Sequence, residues 1–120
     1  MLFVEYPKCS TCKKAKKWLD DHGVDYEDRH IVENNPTASE LATWQEASGL
    51  PLRRFFNTSG MLYREMQLKD KMDAMSDAEK LELLESNGML VKRPILVGED
   101  FVLVGFRDKE WEAAVGKTAQ

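Results

Sequence analysis

The stretch Tyr6-Pro7-Lys8-Cys9-Ser10-Thr11-Cys12-Lys13-Lys14-Ala15-Lys16-Lys17-Trp18-Leu19 decides how this chain is read. It holds the only two cysteines among the 120 residues. Before it, Leu2-Phe3-Val4-Glu5-Tyr6 is a short, largely apolar run ended by Pro7, which predicts a buried strand. Within it, Ala15, Trp18 and Leu19 recur three and four residues apart, which predicts a helix from about Thr11 to His22. Ser10 or Thr11 is the expected cap and Gly23 the expected stop. Val24 to Val32 then reads as a second strand, with Tyr26, Ile31 and Val32 as its apolar residues. Strand, helix and strand within about thirty residues make a βαβ unit. The two cysteines therefore fall where the first strand hands over to the helix.

That position has chemical consequences. The thiolate is the nucleophile in thiol chemistry. A helix N-terminus favours negative charge through its free N–H groups and its dipole. Lys13, Lys14, Lys16 and Lys17 add positive potential, although Lys17 also reads as part of a solvated helix face. Together these features predict a Cys9 pKa below the free-thiol value of about 8.5. Cys12 lies within reach of a mixed disulfide on Cys9 and can resolve it. Two other readings stand beside this one. The pair can be buried and unreactive, or it can bind zinc. For zinc, His22 and His30 are the only other soft ligands, and their spacing does not follow the usual finger.

The rest of the chain fits one domain over residues 1–120. Hydrophobic residues are 42% and charged residues 32%, the balance of an ordinary globular protein. The net charge of −4 argues against broad binding of a nucleic-acid backbone. No segment has the length to cross a bilayer, and no basic region leads a long apolar stretch at the start. A cytoplasmic location is expected, where a close cysteine pair points to redox chemistry or metal rather than a structural staple. After the turn Asn34-Asn35-Pro36, a helix is expected with Thr37 and Glu40, or Ser39, supplying its cap, and Gly49 ending it. A polar-aromatic segment follows over Pro51 to Gly60, whose Phe55 and Phe56 read, like Tyr63, as core packing. Met61 to Lys71 predicts a short helix. Ser76 and Glu79 open another, with an apolar face of Leu81, Leu83, Leu84 and Met89 and with Gly88 as its stop. Arg93 to Val97 and Phe101 to Val104 predict a hairpin around Gly98-Glu99-Asp100. A last helix is expected over Asp108 to Val115, with Trp111, Ala114 and Val115 inward.

Pro94 opens the strand expected opposite the thiols. In a redox fold of this shape such a proline is expected in cis, where it shapes a groove for an extended thiol substrate. The plainer alternative is a strand-start proline. Arg93 either places charge near the thiolate and binds an anion or is a surface arginine.

Three segments, Tyr6-Pro7-Lys8-Cys9-Ser10-Thr11-Cys12-Lys13-Lys14-Ala15, Arg93-Pro94-Ile95 and Val104-Gly105-Phe106, resemble the arsenate reductase (ArsC)/Spx family. The likeness runs over essentially the whole chain. It implies an α/β, thioredoxin-like fold, β-α-β then β-β-α, with core residues 1–32 and 93–120 and a helical insertion over 33–92. It implies Cys9 as the reactive cysteine and Arg93-Pro94 as the family's arginine and cis-proline, with Ser10 and Thr11 beside the substrate and Lys13 as a weaker candidate. Arsenate reductases of this family carry a histidine where Glu5 stands, and Glu5 would repel an anion if it faced the site. A second family arginine falls near Asn57, with Arg53 and Arg54 close by. A third falls near Gly105, with Arg107 two residues on. Those reductases usually lack a counterpart of Cys12. The resemblance therefore implies a thiol-disulfide oxidoreductase with no bound cofactor, served by glutathione and glutaredoxin or by thioredoxin. Its alternative is the Spx branch, a redox-sensing regulator that has a C-x-x-C here and binds the C-terminal domain of the RNA polymerase α subunit, with Gly49 as the contact residue. No element for reading DNA directly is expected in either case.

Overall fold

A computed structural model describes residues 1–118. The first strand, β1 (Leu2–Glu5), leads through Tyr6-Pro7-Lys8 into helix α1 (Ser10–Asp21) and strand β2 (Glu27–His30). Helices α2 (Ala38–Ser48), α3 (Met61–Glu65), α4 (Leu68–Lys71) and α5 (Asp77–Ser86) follow. Strands β3 (Ile95–Val97) and β4 (Val102–Val104) and helix α6 (Asp108–Thr118) complete the order. The sheet runs β2-β1-β3-β4, with β1 parallel to β2 and antiparallel to β3, and β3 antiparallel to β4. This is the β-α-β then β-β-α order expected, and everything between β2 and β3 is helical or irregular apart from one isolated strand bridge, Phe56 to Val91.

Alternation along the strands divides the core. Phe3, Leu96 and Leu103 are paired neighbours across the sheet and point to one face. There they pack with Ala15, Trp18 and Leu19 of α1 and with Trp111 and Val115 of α6. Val4, Ile95 and Val102 point to the other face, which the segment between β2 and β3 covers with Leu41, Trp44, Phe55, Phe56, Tyr63 and Leu84. Each fully buried Leu or Phe contributes about 1.5–3 kcal/mol relative to exposure. Two faces, each closed by helices, hold the end of β1 and the start of α1 in a fixed relation, and that relation builds the site.

Local departures have local causes. The α1 cap is Cys9, one residue before Ser10 and two before Thr11. β2 is four polar or charged residues, and Ile31, just past its end, is the fully buried residue while Val32 is exposed. The helix expected over Met61 to Lys71 is two short ones, broken where Gln67 takes the left-handed conformation at φ 54°. Thr37 and Ser76 both form full capping boxes with Glu40 and Glu79. Gly49 ends α2 at φ 70°, as expected. Gly88 does not stop α5, whose cap is Asn87. It lies against the Ile31 carbonyl, where a β-carbon would clash, and Asn35 Oδ1 would stand 2.9 Å from that β-carbon.

Candidate active site

Cys9 is the N-cap of α1, and the Cys12 backbone N–H donates to its sulfur at 3.4 Å. A helix start has unpaired N–H groups, and here a thiol takes the place that Ser or Asp usually fills. The α1 first turn carries no acidic side chain. The positive end of the helix is therefore left for the sulfur. Cys9 is half-buried and Cys12 fully buried, and both are free thiols.

The two thiols are pushed in opposite directions. Burial raises the Cys9 pKa, but hydrogen bonds from the Cys12 backbone and side chain and from Arg93, with the Arg93 charge, outweigh it and hold the thiol below its ordinary value. Burial pushes the Cys12 thiol up to about 12, the Tyr6 N–H works against the rise, and Cys9 adds to it. The cation beside Cys9 is Arg93, not the lysines. Lys16 pairs with Asp28 at 2.7 Å and with Glu5 at 3.6 Å, and Lys17 pairs with Asp21 at 2.8 Å. Lys13 and Lys14 are exposed and outside the cleft lining.

Cys9 opens onto a cleft of about 430 Å³. Thr11, Asn57, Thr58, Ser59 and Gly60 line it, with an apolar side of Phe56, Val104 and Phe106. Five cationic side chains also line it, Arg53, Arg54, Lys92, Arg93 and Arg107, and no Asp or Glu is among the described lining residues. The Arg93-Pro94 peptide is cis, as expected, and Gly105 donates its N–H to the Pro94 carbonyl at 2.8 Å. One wall is set by the helical segment. Lys92 donates to the Phe55 carbonyl and Asn57 to the Leu90 carbonyl, both at 2.7 Å, which ties the Arg53–Asn57 stretch to the residues just before Arg93.

The structure thus brings Cys9, Thr11, Arg93 and Asn57 to one cleft. Ser10 and Lys13 are exposed on α1 and do not line it. Pro94 is buried behind Arg93. Gly49 is exposed at the end of α2 and is not part of the cleft. Lys92 was missed, since a lone lysine carries no motif, and Phe106 figured only in the Val104-Gly105-Phe106 likeness and not as a site residue. Glu5 does not face the cleft. It is 3% exposed, carries the Lys16 contact, and lies on the Phe3 side of β1. Its burial, with the hydrogen bond and charge of Asp28, raises its carboxyl to about 7 against the opposing pull of Lys16. Glu5 would repel an anion only from the cleft wall, and it is not among the described lining residues. Among the described residues no group of three or more His, Cys, Asp or Glu side chains is placed to hold a metal ion. His22 instead stacks on Trp18, with ring centroids 3.8 Å apart, and the Nδ1 of His30 accepts the N–H groups of Val32 and Glu33. No described helix is long and apolar enough to cross a membrane.

The chain is similar to known proteins in sequence and in fold. The ArsC family model matches residues 4–114. The chain is 52% identical over 112 residues to YusI of Bacillus subtilis, itself uncharacterized, covering 93% of this chain and 95% of YusI. It is 28% identical over 102 residues to the global transcriptional regulator Spx 2 of Bacillus cereus, covering 85% of this chain and 76% of that protein. Among solved structures, an ArsC family related protein from Bacteroides fragilis superposes with a TM-score of 0.91 at 54% identity, over 93% of this chain and 94% of that one. The fold is thioredoxin-like α/β, shared with arsenate reductase-like proteins and matched in sequence by Spx regulators. A family match over nearly the whole length places this chain in the ArsC family.

Proposed function

We propose that this chain is a dithiol oxidoreductase of arsenate-reductase type, with Cys9 as nucleophile and Cys12 as resolving thiol. One observation carries the reading: a half-buried thiol caps a helix, carries a lowered pKa, and faces a cleft lined by five cations. Negative charge on the sulfur and negative charge on a substrate are both favoured there. The cleft volume falls in the range of small-ligand sites, about 300–1,000 Å³, so it admits an organic disulfide as readily as an oxyanion.

With a disulfide substrate R–S–S–R′, the Cys9 thiolate attacks one sulfur, Cys9–S–S–R forms, and R′S⁻ leaves. Cys12 then loses its proton and attacks the Cys9 sulfur, and RS⁻ leaves. The protein is oxidised by two electrons to the Cys9–Cys12 disulfide, and the substrate is reduced to two thiols. With arsenate, Cys9 displaces water to give a Cys9–S–arsenic(V) ester. Attack by Cys12 on Cys9 then releases arsenite and leaves the same disulfide. An external dithiol or two glutathione molecules, with glutaredoxin or thioredoxin, restore the thiols. The high pKa of Cys12 suits the second role. Burial, the main cause of the rise, keeps Cys12 protonated while Cys9 is a thiolate, and forming the mixed disulfide removes the smaller contribution of the Cys9 charge, which brings Cys12 nearer to ionisation at that step. A cytoplasmic setting supplies these reductants.

Redox titration tests the reading, with Cys9→Ser and Cys12→Ser as controls. A reversible two-electron couple between about −220 and −320 mV is expected, near the cytosolic glutathione poise. Failure to form a Cys9–Cys12 disulfide would remove the dithiol cycle.

A second reading draws on the regulators among the relatives. An Spx-type sensor would use the same thiols to control binding to the RNA polymerase α subunit, with Gly49 at the contact. Gly49 is exposed and free of the cleft. Capture of the α C-terminal domain by this protein, lost on Gly49→Arg, would favour it. Turnover of arsenate or a disulfide without such capture favours the enzyme.

A further inference from the structure

Tyr6 touches every reactive part of the site. Its carbonyl accepts the Cys9 N–H at 2.9 Å. Its own N–H faces the Cys12 sulfur. Its ring lies under the Arg93 guanidinium, 5.2 Å from the ring centroid to Cζ. The first two contacts are made by the backbone and survive any side-chain change. The third belongs to the ring alone.

Apart from the Cys9 sulfur itself, Arg93 has little else to hold it. Its Nη1 donates to the Met89 carbonyl at 3.4 Å, a long bond. Among the described residues no carboxylate pairs with it. An arginine on a cleft wall has many rotamers, and a cation sweeping through them stabilises a nearby sulfur less than a fixed one. An aromatic face attracts a guanidinium and restricts it. The ring is itself buttressed. The His30 imidazole meets it edge-on, with centroids 5.8 Å apart and planes at 89°. His30 is fixed in turn because its Nδ1 accepts two backbone N–H groups, each at 3.1 Å. A line of contacts thus runs from the end of β2 through Tyr6 to the cation that faces Cys9.

We propose that Tyr6 is a positioning residue: its ring holds the Arg93 guanidinium beside the Cys9 sulfur before any substrate arrives. The inference rests on the reading of Cys9 as nucleophile. It uses the ring face and not the hydroxyl, so phenylalanine suffices and an aliphatic side chain of similar size does not.

The test is the pH dependence of Cys9 alkylation by iodoacetamide, read by peptide mass. It is run on the wild type, Tyr6→Phe, Tyr6→Leu, Tyr6→Met, Arg93→Ala and the double variant Tyr6→Leu/Arg93→Ala. Circular dichroism melts confirm that each is folded, and two aliphatic variants guard against one that is not. Arg93→Ala is expected to move the midpoint up and slow alkylation about 3–10-fold at pH 6.5, the consequence of a rise of about half to one unit. Tyr6→Leu and Tyr6→Met are expected to give part of that shift, and Tyr6→Phe none. The double variant is expected to match Arg93→Ala, because the ring acts only through the arginine. Three results would overturn the proposal: aliphatic variants with the wild-type midpoint, a Tyr6→Phe as impaired as Tyr6→Leu, or full additivity in the double variant. A wild-type Cys9 with an ordinary midpoint would be a different failure, one that takes the nucleophile reading down with the inference.

Discussion

Helices α1 and α2 begin in opposite ways. α2 starts with a full capping box, in which Thr37 accepts the Glu40 N–H at 3.1 Å and the Glu40 carboxylate accepts the Thr37 N–H at 3.0 Å. Its first turn is acidic, as the helix dipole favours. α1 has no acidic residue in its first turn, and its cap is a sulfur 3.4 Å from the N–H it accepts. Thiols are weak acceptors. By the rules of helix stability α1 starts badly, with no acidic side chain in its first turn and with Lys13 and Lys14 close behind its cap. The same N–H groups that α2 spends on stability are kept in α1 for a thiolate. The difference separates a helix start that supports the fold from one that supports chemistry.

Exchanging the cap should break this comparison most visibly. Cys9→Ser places a good cap on α1, so the melting temperature is expected to hold or rise while thiol-dependent turnover falls at least about a thousandfold. Thermal melts beside turnover assays check both halves. A Cys9→Ser protein that kept its turnover would deny Cys9 its role.

Cys12→Ser sharpens the comparison within α1. Cys9 is expected to form a mixed disulfide at near its normal rate, but the adduct should persist instead of closing to Cys9–Cys12. Intact-protein mass after a pulse of glutathione disulfide reads the two species. If the adduct clears as fast as in the wild type, Cys12 is not the resolving thiol.

Glu5 lies beneath α1 and shows where one of the lysines is committed. Its carboxyl is raised from 4.5 to about 7 by burial and by Asp28, partly offset by Lys16. Folding therefore favours the protonated form. Its contribution is full below about pH 4.5 and is lost as pH rises through about 7. Glu5→Gln cannot ionise, so its stability relative to the wild type should climb between those pH values. Urea denaturation at pH 5 and pH 8.5 measures the change, and a constant difference would show that Glu5 does not titrate with folding.

The smallest effect is expected at the conventional cap. Thr37→Ala should cost about 1 kcal/mol and leave the alkylation of Cys9 untouched. Denaturation and alkylation rates on the same sample would show it. A change in Cys9 reactivity would mean that the two helix starts are coupled.

Much of this was legible from local pattern. The strand before Pro7, the short apolar runs at Ile95–Val97 and Val102–Val104 with a turn between them, and both capping boxes are signals that a few neighbouring residues carry. The place of Cys9 at a strand–helix junction is such a signal too. The cap itself was displaced to Ser10 or Thr11, because hydroxyls outrank a thiol in cap preference and only the folded site makes sulfur the acceptor. The break at Gln67 was hidden because the left-handed conformation there has no glycine to announce it. The cleft was the least legible part. Arg53, Arg54, Lys92 and Arg107 meet Cys9 only because the stretch around Phe56 pairs beside Val91 and β4 returns next to β3. The ring of Tyr6 under Arg93 joins residues far apart in sequence, and no periodicity reports such a contact. Glu5, which would repel an anion if it faced the site, is turned to the other side by the two-residue alternation of β1.

The most direct measurement is the alkylation of both cysteines against pH in the reduced wild-type protein, resolved by peptide mass. The account predicts that Cys9 reacts with a midpoint below the ordinary thiol value while Cys12 stays protected to high pH. Equal midpoints for the two thiols, or a Cys12 that reacts first, would contradict it.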